Sequence, residues 1–184
     1  MMSRSLVAKG DPASAVSAAA GLPCRLRHEV LRQDCETVRG LVARTGFFTC
    51  DEVEIAVELV EARLSDGPAS GYEFIFAEMD GALAGYACYG PIPCTAAGYD
   101  LYWIAVEPTF QRHGVGRMLM DAVESQVAAQ SGERIYIDTS GRNQYAPTRA
   151  FYERSGFYAE ARLKDFYAPG DDRVIYVKSL LKSC

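Results

Sequence analysis

With 184 residues and a formal net charge of -5, the chain has the size of a single domain. It lacks the basic balance that a nucleic-acid partner requires, so none is expected. Its composition, 49% hydrophobic and 23% charged, is that of an ordinary globular protein, and no window approaches the roughly 18 apolar residues of a membrane span. A mild acidic excess is compatible with a cationic small molecule or peptide, and a homodimer is left open. The six cysteines, Cys24, Cys35, Cys50, Cys88, Cys94 and Cys184, form no C-x-x-C pair and are joined by only two histidines. The expectation is therefore reduced thiols in a cytoplasmic protein with no bound metal. At the start of the chain, an alanine-rich patch is interrupted by Asp11 and Pro12. Residues 1–22 are read as a flexible tail preceding a domain over 23–184.

In chain order, "CRLRHEVL" alternates as a first strand. "QDCETVRGLVARTG" follows as a helix stopped by Gly46. "TCDEVEIAVELVEARLSDG" is a second helix, capped by Thr49 or Asp51, with acids in its first turn and Val53, Ala56, Val57 and Val60 on its apolar face. The period then changes to two. "YEFIFAEMDGALAGYACYG" is a hairpin about Asp80-Gly81, and "GYDLYWIAVEP" is a largely apolar central strand ended by Pro108. From Gly114 a helical face returns through Val115, Leu119, Ala122, Val123 and Val127. "RIYIDTS" is a strand, and "APTRAFYERSG" is a short helix closed by Gly156. "FYAEARLKDFYA" and "RVIYVKSLL" are strands about a Gly170-Asp171-Asp172 turn. The order β-α-α-β-β-β-α-β-α-β-β makes one mixed α/β (α+β) domain.

"QRHGVGR", residues 111–117, opens the third helix. A helix start offers unpaired N–H groups and partial positive charge, so it suits an anion. Glycines there let a ligand approach the backbone, and Arg112, His113 and Arg117 add positive charge. A dinucleotide fingerprint would need a third glycine where Leu119 stands, and a P-loop would need Gly-Lys-Ser/Thr. A phosphate or pyrophosphate is the expected ligand.

Gln111-Arg112-His113-Gly114-Val115-Gly116 matches the Q/R-x-x-G-x-G/A signature of the GNAT N-acetyltransferase family. The chain resembles that family in two more stretches. "LYWIAVEP" is similar to its fourth strand, ending in V-x-P, and "FYERSGF" is similar to its F/L-Y-x-x-x-G-F closing motif. The resemblance implies a central mixed sheet of about seven strands with a splayed strand pair, and acetyl-CoA as co-substrate. In such a site the backbone of Ile104, Ala105 and Val106 pairs with the pantetheine arm. The loop Gln111, Arg112, His113, Gly114, Val115, Gly116 and Arg117 holds the pyrophosphate, chiefly through its amides. Asn143, Thr148 and Tyr152 are further expected cofactor contacts, with Ser140 and Arg149 as weaker candidates. The family's usual Asn and Ala of the last motif are replaced here by Tyr145 and Thr148.

Making an amide from a thioester requires a neutral amine, a stabilised oxyanion and a proton for the leaving thiolate. From the resemblance, Tyr152 is the acid. Asp100 is the preferred base, with Glu107 or a water chain as alternatives. Simple alternation puts Asp100 and Glu107 on opposite strand faces unless the strand bulges, as this family's fourth strand does. The acceptor site is expected among Phe47, Phe48, Asp51, Glu52, Asp165, Phe166 and Tyr167. These aromatics and acids suit an amine with an apolar part, and they equally suit a helix cap and ordinary packing. The expected function is direct transfer of acetyl from acetyl-CoA to a primary amine of a small molecule or peptide, in a ternary complex. A non-catalytic acyl-CoA sensor is the alternative, and transfer of a longer acyl group is left open.

Overall fold

The computed structural model describes residues 24–181; the expected tail over 1–22 and Cys184 lie outside the described residues. The described elements follow the order read from the sequence. They are β1 (Arg25–Arg27), α1 (Asp34–Arg44), α2 (Cys50–Asp66), β2 (Glu73–Met79), β3 (Ala82–Pro91), β4 (Gly98–Val106), α3 (Val115–Ala129), β5 (Arg134–Ser140), α4 (Ala146–Arg154), β6 (Tyr158–Ala168) and β7 (Asp171–Ser179). The strands form one seven-stranded sheet in the order β1-β2-β3-β4-β5-β7-β6. Its only parallel pair among the described residues is β4–β5, the pair joined through α3.

Local chemistry accounts for the boundaries. Thr49, and not Asp51, caps α2: its Oγ1 accepts from the Glu52 amide at 3.3 Å, and the Glu52 carboxylate accepts from the Thr49 amide at 2.9 Å. Asp80 and Gly81, with φ of 50° and 73°, make the tight turn between β2 and β3, where two left-handed residues match the twist of the hairpin. β1 is shorter than the alternation suggests: it ends at Arg27, whose side chain ties the strand to the start of α1. Its guanidinium meets both oxygens of the buried Asp34 at 2.9 Å and Glu78 at 2.7 Å. The last turn also differs from expectation. Asp171 and Asp172 begin β7, and Asp171 is buried, accepting from the Ser140 hydroxyl and pairing with Arg142 at 3.0 Å.

Helices cover both faces of the sheet. α1 and α2 pack Val38, Leu41, Val42, Ala56, Leu59 and Val60 against Phe74, Phe76, Tyr86, Trp103 and Ala105. On the opposite face α3 and α4 pack Val115, Leu119, Met120, Val123, Val127 and Tyr152 against Leu101, Ile104, Val106, Ile135, Ile137, Val174 and Tyr176. β4 contributes to both layers, which explains its nearly unbroken apolar sequence. No helix of the described residues is long and apolar enough to cross a membrane.

Candidate active site

Two features of β4 create the site. The first is a bulge: Cys88 faces Trp103 while Tyr89 faces Leu101, so Tyr102 is an extra residue. Tyr99 and Leu101 join the α3–α4 layer, as do Ile104 and Val106, whereas Trp103 and Ala105 join the α1–α2 layer. Strict alternation is thereby corrected. Asp100 and Glu107 lie on the same face, toward α1 and α2, although roughly 20 Å of extended chain separates them. The second feature is a fork. β4 pairs with β5 only at Gly98↔Arg134, Tyr99↔Ile135 and Asp100↔Tyr136, and the ladder then ends. From there the facing edges of Leu101–Val106 and Ile137–Ser140 diverge. A strand edge inside a domain leaves main-chain polar groups that need a partner. An extended ligand bearing amides would supply one.

The open end of the fork leads to the start of α3. Gly114 is its cap residue, left-handed at φ 82°, with no side chain capping the helix. The loop before it is also held in a left-handed conformation at Arg112, φ 65°. Gln111 turns inward and donates from Nε2 to the Val106 carbonyl at 3.3 Å, fastening the loop to the end of β4. His113 Nδ1 lies 2.9 Å from the Gln111 carbonyl oxygen. A Cβ built on Gly116 would sit at ordinary contact distance, 3.6 Å from Phe151 and 3.7 Å from Val106. That position has room for alanine, in keeping with a G/A motif. Arg112, His113, Gly114 and Arg117 are exposed and Val115 is buried, so the loop presents glycine and cations outward while its one apolar residue anchors it. These residues fit an anionic, extended ligand.

The other expected site residues fall in three places. Tyr152 is fully buried on α4, its ring against Phe151, Phe157 and Tyr176 with centroids 5.6–6.3 Å apart. Thr148, one turn earlier, is equally buried, while Asn143 is exposed at the start of the short turn that precedes α4. Tyr145, in the family's Asn position, is buried and touches Phe47 of the α1–α2 loop at 6.1 Å. Phe48 of the same loop packs on Trp103 at 4.9 Å. The α1–α2 loop thus spans the fork, with Phe48 on its β4 side and Phe47 on the β5–α4 side. Arg149 donates to the carbonyls of Ser140 and Arg142 at 2.7 and 2.9 Å, and Ser140 bonds Asp171. Both of these weaker candidates are occupied in holding the β5–α4 turn.

The two carboxylate candidates differ in their surroundings. Glu107, nearly buried, receives a two-pronged bond from Arg44 of α1, with the closest approach 2.8 Å. Asp100 is half-buried at the base of the fork. Burial raises its carboxyl from the usual 3.8 to about 6, the nearby Asp138 carboxylate pushes in the same direction, and Arg173 opposes both. Arg173 is bonded to Asp138 and lies over the Phe166 ring at 5.0 Å. Sequence reasoning missed the Asp138–Arg173 pair: both residues look like ordinary outward strand positions until β5 and β7 are set beside β4.

Among the expected acceptor residues, Glu52 is consumed by the α2 cap and Asp165 by its own turn. The Asp165 carboxylate accepts from the Gly170 amide at 2.7 Å, and its amide donates to Asp172 at 3.0 Å. Phe47 and Phe48 pack on Tyr145 and Trp103, and Phe166 and Tyr167 pack together at 5.1 Å on the β6–β7 side.

A forked parallel pair running onto a helix start without a side-chain cap suits an extended ligand along the strand edge with its anionic end on helix amides. Residues 43–157 match the model of the Acetyltransferase (GNAT) family, and the chain belongs to that family of acetyltransferases. A solved GNAT-family protein from Desulfovibrio desulfuricans is 50% identical, covering 86% of this chain and all of that one with a TM-score of 0.85. A Salmonella typhimurium structure containing its cofactor acetyl-CoA shares the fold at 17% identity and a TM-score of 0.66, over 88% of this chain and 96% of that one. The mycothiol acetyltransferase of Beutenbergia cavernae is 36% identical over 78 residues, which is 42% of this chain and a quarter of that protein.

Proposed function

We propose that the protein transfers the acetyl group of acetyl-CoA directly to a primary amine of a small molecule or peptide, both substrates being bound at once. The observation that carries this reading is the fork. The ladder between β4 and β5 ends at Asp100, which leaves the edge of Ile104, Ala105 and Val106 for the pantetheine arm and points it toward Gly114–Arg117. Acetyl-CoA supplies the activated acyl group. The chain's own residues bind its phosphates at the start of α3, exclude water beneath the α1–α2 loop, and move two protons. Asp100 accepts one from the incoming ammonium, directly or through water. The Tyr152 phenol passes the other on: it gives its own proton to the departing sulfur and is restored by the second proton that the nitrogen sheds as the amide forms. The raised carboxyl of Asp100 supports its choice over Glu107, because a base that titrates near 6 is matched to work at neutral pH. Glu107 is held in a two-pronged bond by Arg44, which suits a structural role.

The acceptor's chemistry is inferred from the same face. Asp100 and Asp138 favour a cation, and Phe47, Phe48 and Phe166 favour an apolar portion beside it.

Calorimetric titration with acetyl-CoA, followed by an amine panel read by free-thiol release, tests the proposal. The wild type is expected to bind and to release thiol with at least one amine. Tyr152→Phe keeps the buried ring, so it is expected to bind normally while turnover falls about 100-fold or more. Failure of the wild type to bind acetyl-CoA would overturn the reading, and binding without thiol release across the panel would leave only a sensor.

A further inference from the structure

Thr139 lies on β5 beyond its last pair with β4, the Asp100↔Tyr136 register. Its side chain faces the α3–α4 layer, since it stands opposite Val174 on β7 and alternates with the core residues Ile135 and Ile137. The residue is completely buried, and its Oγ1 has no hydrogen-bond partner among the described residues. A buried hydroxyl in that state is costly, and valine would fill the same shape without the cost. Of other buried donor atoms in that state, the Tyr86 hydroxyl and Trp103 Nε1 belong to the opposite layer beneath α1 and α2, while Arg39 Nη1 and Arg173 Nε sit on guanidiniums already paired through another nitrogen. Thr139 is therefore a polar group set on the free edge of the fork, where an apolar one would be more stable.

Its height along the strand gives its purpose. Three residues past Tyr136, Thr139 is level with the Tyr102–Trp103 bulge and the beginning of the Ile104–Val106 stretch. It also shares a layer with Tyr152, whose ring packs on Tyr176, the β7 neighbour of Ile137. A strand hydroxyl and a helix phenol thus border the enclosed end of the fork.

We propose that Thr139 touches the substrate, its Oγ–H donating a hydrogen bond to the sulfur of acetyl-CoA. The inference rests on reading the fork as the acetyl-CoA site. As the amine nitrogen bonds to the acetyl carbon, the C–S bond breaks and its electron pair goes to sulfur. The thiolate takes its proton from Tyr152, the phenol is restored by the second proton that the nitrogen sheds as it becomes the amide, and Thr139 keeps its own proton throughout. A thioester sulfur is a weak acceptor and a thiolate a strong one, so this bond strengthens as the leaving group develops charge.

The test needs no acceptor. CoA is bound to wild type, Thr139→Val and Thr139→Ser, and the bound thiol is titrated by the ultraviolet absorbance of its thiolate. Thr139→Val is expected to hold about tenfold less thiolate at a given pH, and Thr139→Ser to resemble wild type. Without ligand, Thr139→Val is expected to melt no lower than wild type. Equal thiol ionisation in wild type and Thr139→Val would overturn this inference while leaving the proposed function intact. So would a lowered melting temperature of unliganded Thr139→Val, which would reveal an internal partner for the hydroxyl. Failure of the wild type to bind CoA would overturn both.

Discussion

At Asp100 the environment changes the chemistry of a candidate site residue. In solution its carboxyl would be ionised throughout the neutral range. At the base of the fork it ionises only near pH 6, because burial and Asp138 disfavour its charge. Turnover is therefore expected to fall as pH drops through about 6, and Asp100→Asn is expected to abolish that limb of the pH–rate profile. The stability consequence has the opposite sense. With its folded value raised, the carboxyl favours the folded state below about pH 4, and this contribution is lost as pH rises through about 6. Asp100→Asn should accordingly melt no lower than wild type at pH 7.5 while losing activity; a clear drop in melting temperature would assign Asp100 to structure. The sequence marked Asp100 through its place in a motif. Its altered ionisation depends on Asp138 and Arg173, which lie far away in the chain.

At the level of elements, the start of α3 and the end of α1 do different jobs. Gly114 is left-handed, so Gly114→Ala strains the backbone by about 1 kcal/mol even though no atom lies within 4 Å of the added Cβ. Gly116→Ala adds a methyl at ordinary contact distance and is expected to leave the melting temperature nearly unchanged. His113→Ala is expected to weaken acetyl-CoA binding by less than about threefold if, as proposed, the loop holds the phosphates through its amides. Calorimetry on the three variants separates backbone from side-chain roles. At the end of α1, Arg44→Met leaves the nearly buried Glu107 without its cation and is expected to cost about 1–3 kcal/mol, measured by denaturant unfolding. The helices and hairpin were legible because caps, glycines and periodicity are local signals: Thr49–Glu52 and Asp80-Gly81 each specify their geometry within four residues. The pairing of Arg44 with Glu107, and the capture of Asp165 by the turn before β7, were not legible, since one carboxylate looks like another in a sequence.

Across the whole molecule, the sheet consists of two parts that share only three paired positions, β1–β4 on one side and β5–β7 on the other. α3 crosses behind them, and the α1–α2 loop reaches over the front through Phe47 to Tyr145. A ligand seated in the fork would complete the join. Acetyl-CoA at about 100 times its dissociation constant is therefore expected to stabilise the fold by about 2.7 kcal/mol. Hydrogen exchange should slow most at the amides of 101–106 and 113–117. Uniform protection across the sheet, or protection confined to β6 and β7, would place the ligand elsewhere.

The sequence by itself determined the order of elements, the turn and cap chemistry, and the glycine loop whose spacing identifies the family, because each of these acts over a few neighbouring residues. Only the tertiary structure decided which face each β4 residue takes. One extra residue at Tyr102 shifts every later side chain by a position, and that bulge exists only where β3 lies alongside. The fold likewise decided that Asp100 lies near Asp138, that Glu107 is claimed by Arg44, and that the buried Thr139 hydroxyl is left without a partner among the described residues, since burial and charge are properties of the neighbours that packing supplies.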